Sequence, residues 1–300
     1  MIVNVAQFLI LGLIIDWAFR KVKCPGLVGM LLLGLLFGPY CMGLISPELL
    51  SVSSDFQLFA LIVILLRAGF ELSKDALSHV ASRVILLALV PAIVEGVAVM
   101  FLGPPLLGLS LMESAILGSV LAAVSPAVVV PMMISFIDRK MGLRKGIPTM
   151  ILAAATLDDV FVIVVYSVLI GNYTDASTNF FFQFFGVPFS ILFGTVAGLV
   201  IGLLLFKTFR HFDIRATKQV LILLGLSILV VQVEHFLRPW VSFSALLSIM
   251  SMGFMILEKD ELMARAISAK MSKIWVFAEI FLFILIGAQV NLEVALKAGL

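Results

Sequence analysis

Long apolar runs follow one another along almost the whole of this 300-residue chain. A helix needs roughly 18 or more apolar residues to cross about 30 Å of hydrocarbon, and about ten segments meet that length. Hydrophobic residues make up 62% of the chain and charged residues 13%, whereas soluble domains carry about 25% charged residues. We therefore predict an all-α, polytopic membrane helical bundle. Its spans are predicted near residues 1–19, 26–43, 55–72, 81–102, 112–137, 148–170, 180–206, 218–236, 240–257 and 275–298.

The positions of lysine and arginine indicate the orientation of these spans. Of the 20 Lys and Arg residues, all but Arg67, Arg238 and Lys297 fall in connections that follow an odd-numbered span. Cytoplasmic connections of membrane proteins carry an excess of these two residue types. The sequence therefore predicts a multi-pass protein of the cell (inner, cytoplasmic) membrane with its N-terminus outside.

Three carboxylates are predicted near the middle of the membrane. Asp158 and Asp159 occupy the midpoint of the sixth span, and Glu95 lies near the centre of the fourth. An ionisable group at the bilayer centre costs about 2.5–3.5 kcal/mol on insertion scales, so it marks function by default. We interpret the two aspartates as a shared cation- and proton-binding site.

A proline interrupts the fifth span at the same depth. Pro126 removes an amide donor and clashes with the carbonyl of Ala122, and it pushes Ser125 toward an extended conformation. We predict a broken helix here, with a simple kink as the alternative. Breaks at this depth face protein or a wet cavity, and discontinuous helices contribute to midplane ion sites in secondary transporters. The freed carbonyls and the Ser125 hydroxyl are hard oxygen ligands that suit Na⁺ or Li⁺.

The adjacency of the two aspartates suggests a division of roles between them. Neighbouring residues of a helix project about 100° apart, so one carboxylate should line the ion pathway while the other turns toward a neighbouring helix. Burial disfavours the charged form of a carboxylate, and such a group can hold either a proton or a metal cation. Competition for one site would then produce exchange, because cation binding expels protons and protonation expels the cation.

Five segments carry a family resemblance: Leu65–Gly69, Val124–Pro131, Lys145–Thr149, Leu157–Val160 and Leu285–Val290. They resemble the two-aspartate, sodium/proton antiporter branch of the monovalent cation:proton antiporter superfamily. The resemblance implies inverted repeats, a homodimer and an elevator-like movement of a core domain.

The resemblance also implies residue roles. Asp159 matches the principal cation and proton ligand, and Asp158 and Glu95 match positions that pair with a basic residue. The supporting positions of the site are Val124, Ser125, Pro126, Thr156 and Glu95.

The resemblance further implies a domain arrangement. We expect one transmembrane transporter domain over residues 1–300, with spans 4–6 as the transport part, spans 1–3 and 8–10 as the scaffold and dimerisation part, and span 7 as a linker. Relatives have about 13 spans, and the basic partner of Asp158 and Glu95 lies after the tenth. We therefore expect this chain to lack spans 11–13.

The function expected from residues and resemblance together is exchange of Na⁺ (or Li⁺) for H⁺ by a secondary active transporter, with no cofactor, no enzymatic activity and no nucleic acid partner. Two alternatives stay open, a sodium-coupled organic anion symporter of related ten-span fold and a membrane scaffold without transport activity. An intramembrane aspartyl protease is disfavoured, because adjacent aspartates splayed on one helix cannot readily share a proton as its dyad does.

Overall fold

The computed structural model is helical in all its long elements. It describes residues 1–22, 24–72, 74–173, 180–237 and 243–299. Within these ranges it does not describe the side chains of residues 74–81, 159–160, 164, 167, 171–172, 180–188, 295–296 and 298–299. The α-helices of the described residues are α1 (Ile2–Lys21), α2 (Gly26–Phe37), α3 (Pro47–Ser51), α4 (Ser53–Glu71), α5 (Lys74–Leu107), α6 (Leu111–Leu121), α7 (Pro126–Asp138), α8 (Ile147–Tyr173), α9 (Phe180–His211), α10 (Ala216–Leu237), α11 (Ala245–Lys259), α12 (Glu261–Ala288) and α13 (Leu292–Gly299).

The prediction of an all-α, polytopic membrane protein is confirmed. Eight helical segments of the described residues are long and apolar enough to cross a membrane. Two further predicted spans, 26–43 and 240–257, correspond to the shorter helices α2 and α11. The short turn Leu143–Lys145 lies between α7 and α8, and glycines with positive φ flank it at Gly142 and Gly146.

The predicted break in the fifth span is also confirmed. Helix α6 ends at Leu121 and α7 begins at Pro126. Ser125 precedes Pro126 in an extended conformation, with φ −68° and ψ 112°, because the proline ring disfavours the helical region for the residue before it. The structure therefore shows two short helices rather than one kinked helix.

The last predicted span differs from the structure in its boundaries. Helix α12 begins at Glu261 and ends at Ala288, whereas the apolar run predicts 275–298. The basic residues before position 275 continue the helix, because Lys, Arg, Met and Ala are good helix formers. Asp260 caps the new start by accepting from the Met263 amide at 2.9 Å. Asn291 similarly accepts from two amides at the start of α13, which separates that helix from α12.

By contact density the chain divides into two compact units, Met1–Val63 with Ala269–Leu300, and Ile64–Ser268. In the first unit Phe281 of α12 lies 5.0 Å from Phe56 and 5.8 Å from Phe8, measured between ring centroids. The assignment of spans to transport, scaffold and linker parts stays a prediction.

In the second unit, α9 and α11 approach closely along three glycines spaced four residues apart, Gly194, Gly198 and Gly202. A β-carbon added at Gly198 would lie 2.2 Å from the Ser248 carbonyl oxygen. Small residues at this spacing let helix backbones come together in a membrane, where lipid supplies no hydrophobic drive. The glycine stripe therefore serves packing within the chain. Helix α8 packs against α5, α6, α7 and α9 in the same unit.

The glycine stripe gives a stability prediction. We expect Gly198→Ala to destabilise the chain by about 1–3 kcal/mol, the range for overpacking, because the backbone carbonyl of Ser248 cannot rotate away. Thermal unfolding in detergent, followed by the monodisperse fraction, measures the effect. Gly225→Ala is the matched control, since nothing lies within 4 Å of a β-carbon at that helical position. Equal melting curves for the two variants would contradict the close approach.

Candidate functional site

The centre of the candidate site is a hydrogen bond between α8 and the break in the fifth span. Asp158 is only 3% exposed, and its Oδ2 accepts a hydrogen bond of 2.9 Å from the backbone amide of Val124. Proline removes one donor from this segment, and an amide left unpaired in the interior costs about 1–3 kcal/mol. The carboxylate therefore stabilises the unwound segment that the proline creates.

The break itself is open on one side. Ala123, Val124 and Ser125 are exposed, whereas Pro126 and Ala127 at the start of α7 are buried. The Ser125 carbonyl accepts from the Val128 and Val129 amides, each at 3.2 Å, which begins the hydrogen-bond pattern of α7. Ser125 makes no side-chain capping bond to that helix, so its hydroxyl is not committed to holding α7 in place.

Glu95 is the third carboxylate that the sequence places at this depth. It lies near the middle of α5 and is exposed, and its charge acts on Asp158. Its role as a supporting residue of the site stays a prediction. The basic partner that the resemblance implies for these two carboxylates remains a prediction.

Thr156 faces away from the break. Its hydroxyl donates to the Leu152 carbonyl at 3.0 Å and contacts the Met250 sulfur of α11 at 3.2 Å, and it is 1% exposed. Two residues along a helix correspond to about 200° of rotation, which explains why Thr156 contacts α11 while Asp158 binds the break. Thr156 therefore links α8 to α11, a contact that sequence spacing alone does not indicate.

The side chain of Asp159 lies outside the described residues, so its predicted role as the principal ligand stays a prediction. Among the side chains that are described, no group of three or more His, Cys, Asp or Glu residues is arranged to hold a metal ion.

An apolar wall adjoins the site. Ala92 of α5, Ala122 after α6 and Val162 of α8 form a buried cluster on which Phe161 packs. The same four residues line part of a cavity of about 240 Å³ between α5, α6 and α8. Val162 is about one helical turn from Asp158 along α8, so this cluster and the carboxylate belong to neighbouring turns of the same helix.

This combination defines a class of protein. A membrane-spanning bundle with a helix broken beside a buried carboxylate has the construction of a secondary transporter, in which discontinuous helices meet near the membrane midplane.

Comparison with known proteins identifies the family within that class. A family model described as "Sodium/hydrogen exchanger, transmembrane" matches residues 7–299. Sodium/hydrogen exchanger 9B2 of Mus musculus is 33% identical over 278 residues, which cover 91% of this chain and 50% of the relative. The Homo sapiens protein of that name is 34% identical over 209 residues, covering 69% and 39%. This chain belongs to the sodium/hydrogen exchanger family, and the resemblance to the monovalent cation:proton antiporter superfamily is confirmed.

A solved structure shows the same fold. The sodium proton antiporter MjNhaP1 from Methanocaldococcus jannaschii superposes with a TM-score of 0.77 at 23% identity, over 97% of this chain and 71% of that one. The present chain spans about half the length, or less, of the two curated relatives described above.

The bond between Asp158 and Val124 gives a prediction that does not depend on transport. We expect Asp158→Ala to speed hydrogen exchange of the Val124 amide and to lower thermal stability by about 1–3 kcal/mol, because the donor is left unpaired. Asp158→Asn retains a side-chain oxygen that can accept the same bond, so it should perturb both quantities less. If the alanine and asparagine variants exchange alike at Val124, the carboxylate does not hold the break.

Proposed function

We propose that this chain forms the cation-binding part of a secondary active transporter that exchanges Na⁺ (or Li⁺) for H⁺ across the cytoplasmic membrane by alternating access. The observation that carries the proposal is the break at 122–125 held by the buried carboxylate of Asp158. Membership of the sodium/hydrogen exchanger family supports the choice of ions.

The proposed division of labour between the aspartates follows from the hydrogen bond. One oxygen of Asp158 is occupied by the Val124 amide, so this carboxylate has a structural task that a transported cation would disturb. We assign the exchange of a proton for a cation to Asp159, its neighbour on α8, as the family resemblance implies. The carbonyls released at the end of α6 and the Ser125 hydroxyl complete the oxygen ligands.

The proposed cycle depends on charge at low dielectric. With Asp159 ionised, the site attracts Na⁺, and the attraction between opposite charges is stronger where the dielectric is low. When a proton occupies Asp159 the attraction is lost and the cation leaves. Coupling therefore requires only one condition. The site must not change from one side of the membrane to the other while Asp159 is ionised and no cation is bound.

We also propose the orientation and assembly that this cycle requires. The N-terminus would lie outside, as the bias of Lys and Arg indicates, and the transporter would be a homodimer with elevator-like movement of its core part. No cofactor is needed in this scheme, since Na⁺ and H⁺ are the transported substrates.

The first test is neutralisation of Asp159. In proteoliposomes with a pH-sensitive dye, we expect Asp159→Asn to abolish proton movement driven by a Na⁺ gradient, because the neutral side chain cannot release a proton. Asp213→Asn is the control, since Asp213 is exposed in the connection after α9 at φ 44°, a conformation that Asn tolerates. Normal exchange by Asp159→Asn would refute the proposal.

Proton competition gives a second prediction with a definite sign. Because a proton and Na⁺ compete for one carboxylate, the apparent KM for Na⁺ should rise as pH falls, by up to tenfold per pH unit in the acidic limit, while the maximal rate at saturating Na⁺ changes less. Initial rates measured at several pH values on both sides of the membrane check this. A KM independent of pH would instead favour the sodium-coupled symporter, in which case Na⁺-driven uptake of an organic anion without proton counterflow should be found.

A further inference from the structure

Helix α8 also contacts the broken helix at a second place, where the C-terminal end of α8 meets the start of α6. The hydroxyl of Tyr173, the last residue of α8, donates to Oε1 of Glu113 in the first turn of α6 at 3.0 Å. Glu113 uses its other oxygen, Oε2, to accept from the Ser110 amide at 2.8 Å. Both carboxylate oxygens are therefore engaged, one within α6 and one across to α8.

Several hydrogen bonds surround this contact at the start of α6. Ser110 and Glu113 form a reciprocal capping box, and the Ser114 hydroxyl donates to the Ser110 carbonyl at 2.8 Å. Gly103 of α5 lies close against Ser114. The capping bond orients the Glu113 carboxylate that accepts from the exposed Tyr173 hydroxyl.

The two contacts between α8 and the broken helix lie far apart along α8. Asp158 and Tyr173 are 15 residues apart on α8, or about 22 Å at 1.5 Å per residue. On the other side, Glu113 to Leu121 is about 12 Å of helix, and the unwound residues after Leu121 continue the chain to Val124. Helix α6 and the unwound segment are therefore held at both ends by α8.

The break makes this second attachment important. A continuous helix through the membrane would be kept in position along its axis by its whole length, but α6 has only 11 residues and no helical connection to α7. If α6 slides along α8, the Val124 amide and the terminal carbonyls of α6 move with it. The contact at Tyr173 resists that slide from the far end.

We propose that Tyr173 and Glu113 are positioning residues for the cation site. Their hydrogen bond fixes α6 along α8, and so keeps the break in register with Asp158. The inference rests on the proposed function, since the quantity it affects is cation binding at the break. It assigns a role in exchange to two residues about 20 Å from the site along the helix axis.

The test uses Tyr173→Phe, which removes only the hydroxyl. In proteoliposomes we expect the apparent KM for Na⁺ to rise about two- to fivefold with a maximal rate within about twofold of the wild type, the range that loss of one hydrogen bond produces. Hydrogen exchange should accelerate at the Val124 amide as well as at residues 110–114. Tyr166→Phe is the matched control, because Tyr166 is another exposed tyrosine of α8, and it should change neither quantity.

Conservative and double variants identify the bond as the cause. Glu113→Gln keeps an oxygen for the Tyr173 hydroxyl and should shift KM less than Tyr173→Phe does. Adding Glu113→Gln to Tyr173→Phe should change KM by less than the two single effects together, because both act on one interaction.

Two results would contradict the positioning role, and a third would contradict the proposed function. An unchanged KM in Tyr173→Phe, or faster hydrogen exchange confined to residues 110–114, would show that the bond stabilises only the start of α6. If the wild type shows no Na⁺-dependent proton movement, the proposed function fails. In that case hydrogen exchange at the Val124 amide still tests the positioning role, because it is measured without transport.

Discussion

The structure of the site depends on one hydrogen bond, from the Val124 amide to the Asp158 carboxylate. A helix broken inside a membrane must find partners for its freed backbone groups, because hydrocarbon offers none. A buried carboxylate is a strong acceptor for this purpose, since charge-assisted bonds to backbone amides are roughly twice as strong as neutral ones. The burial of Asp158 and the unwinding before Pro126 are thus mutually dependent: the carboxylate accepts from an amide freed by the unwinding, and that amide stabilises the buried carboxylate.

The two helix ends at the break have opposite electrostatic character, and this suits a site for exchange. Helix α7 begins at Pro126, so its positive end lies next to Val124, where Asp158 is bound. Helix α6 ends at Leu121, so the carbonyls of its last turn lie at the negative end of its dipole. One end therefore favours the fixed carboxylate and the other favours a cation. An unbroken helix would offer neither, because its dipole ends would lie at the membrane surfaces.

The sequence predicts the helices and the break of this site better than the contacts between them. Apolar runs predict most of the spans, and Pro126 predicts the break, because both depend on local chemistry. The partner of Asp158 is a backbone amide 34 residues away, and no side-chain pattern indicates which amide a carboxylate will find. The apolar run does not predict the start of α12 at Glu261, because the Arg and Lys residues there are typical of a connection between spans. These residues are nevertheless good helix formers. Ser110 and Glu113 do show the capping-box pattern, but nothing local indicates that Tyr173 shares the same carboxylate.

The glycines of α5 and α6 bring these two helices together close to the break. A β-carbon at Gly118 would lie 2.6 Å from the Gly96 carbonyl oxygen and 3.2 Å from the Val99 β-carbon, so this contact combines backbone and side-chain packing. Packing contacts of this kind are individually weak and carry little directionality. Hydrogen bonds add a directional restraint, because their energy falls steeply with angle and distance. The two hydrogen bonds between α8 and the broken helix, at Asp158 and at Tyr173, supply that directional restraint beside the α5–α6 packing.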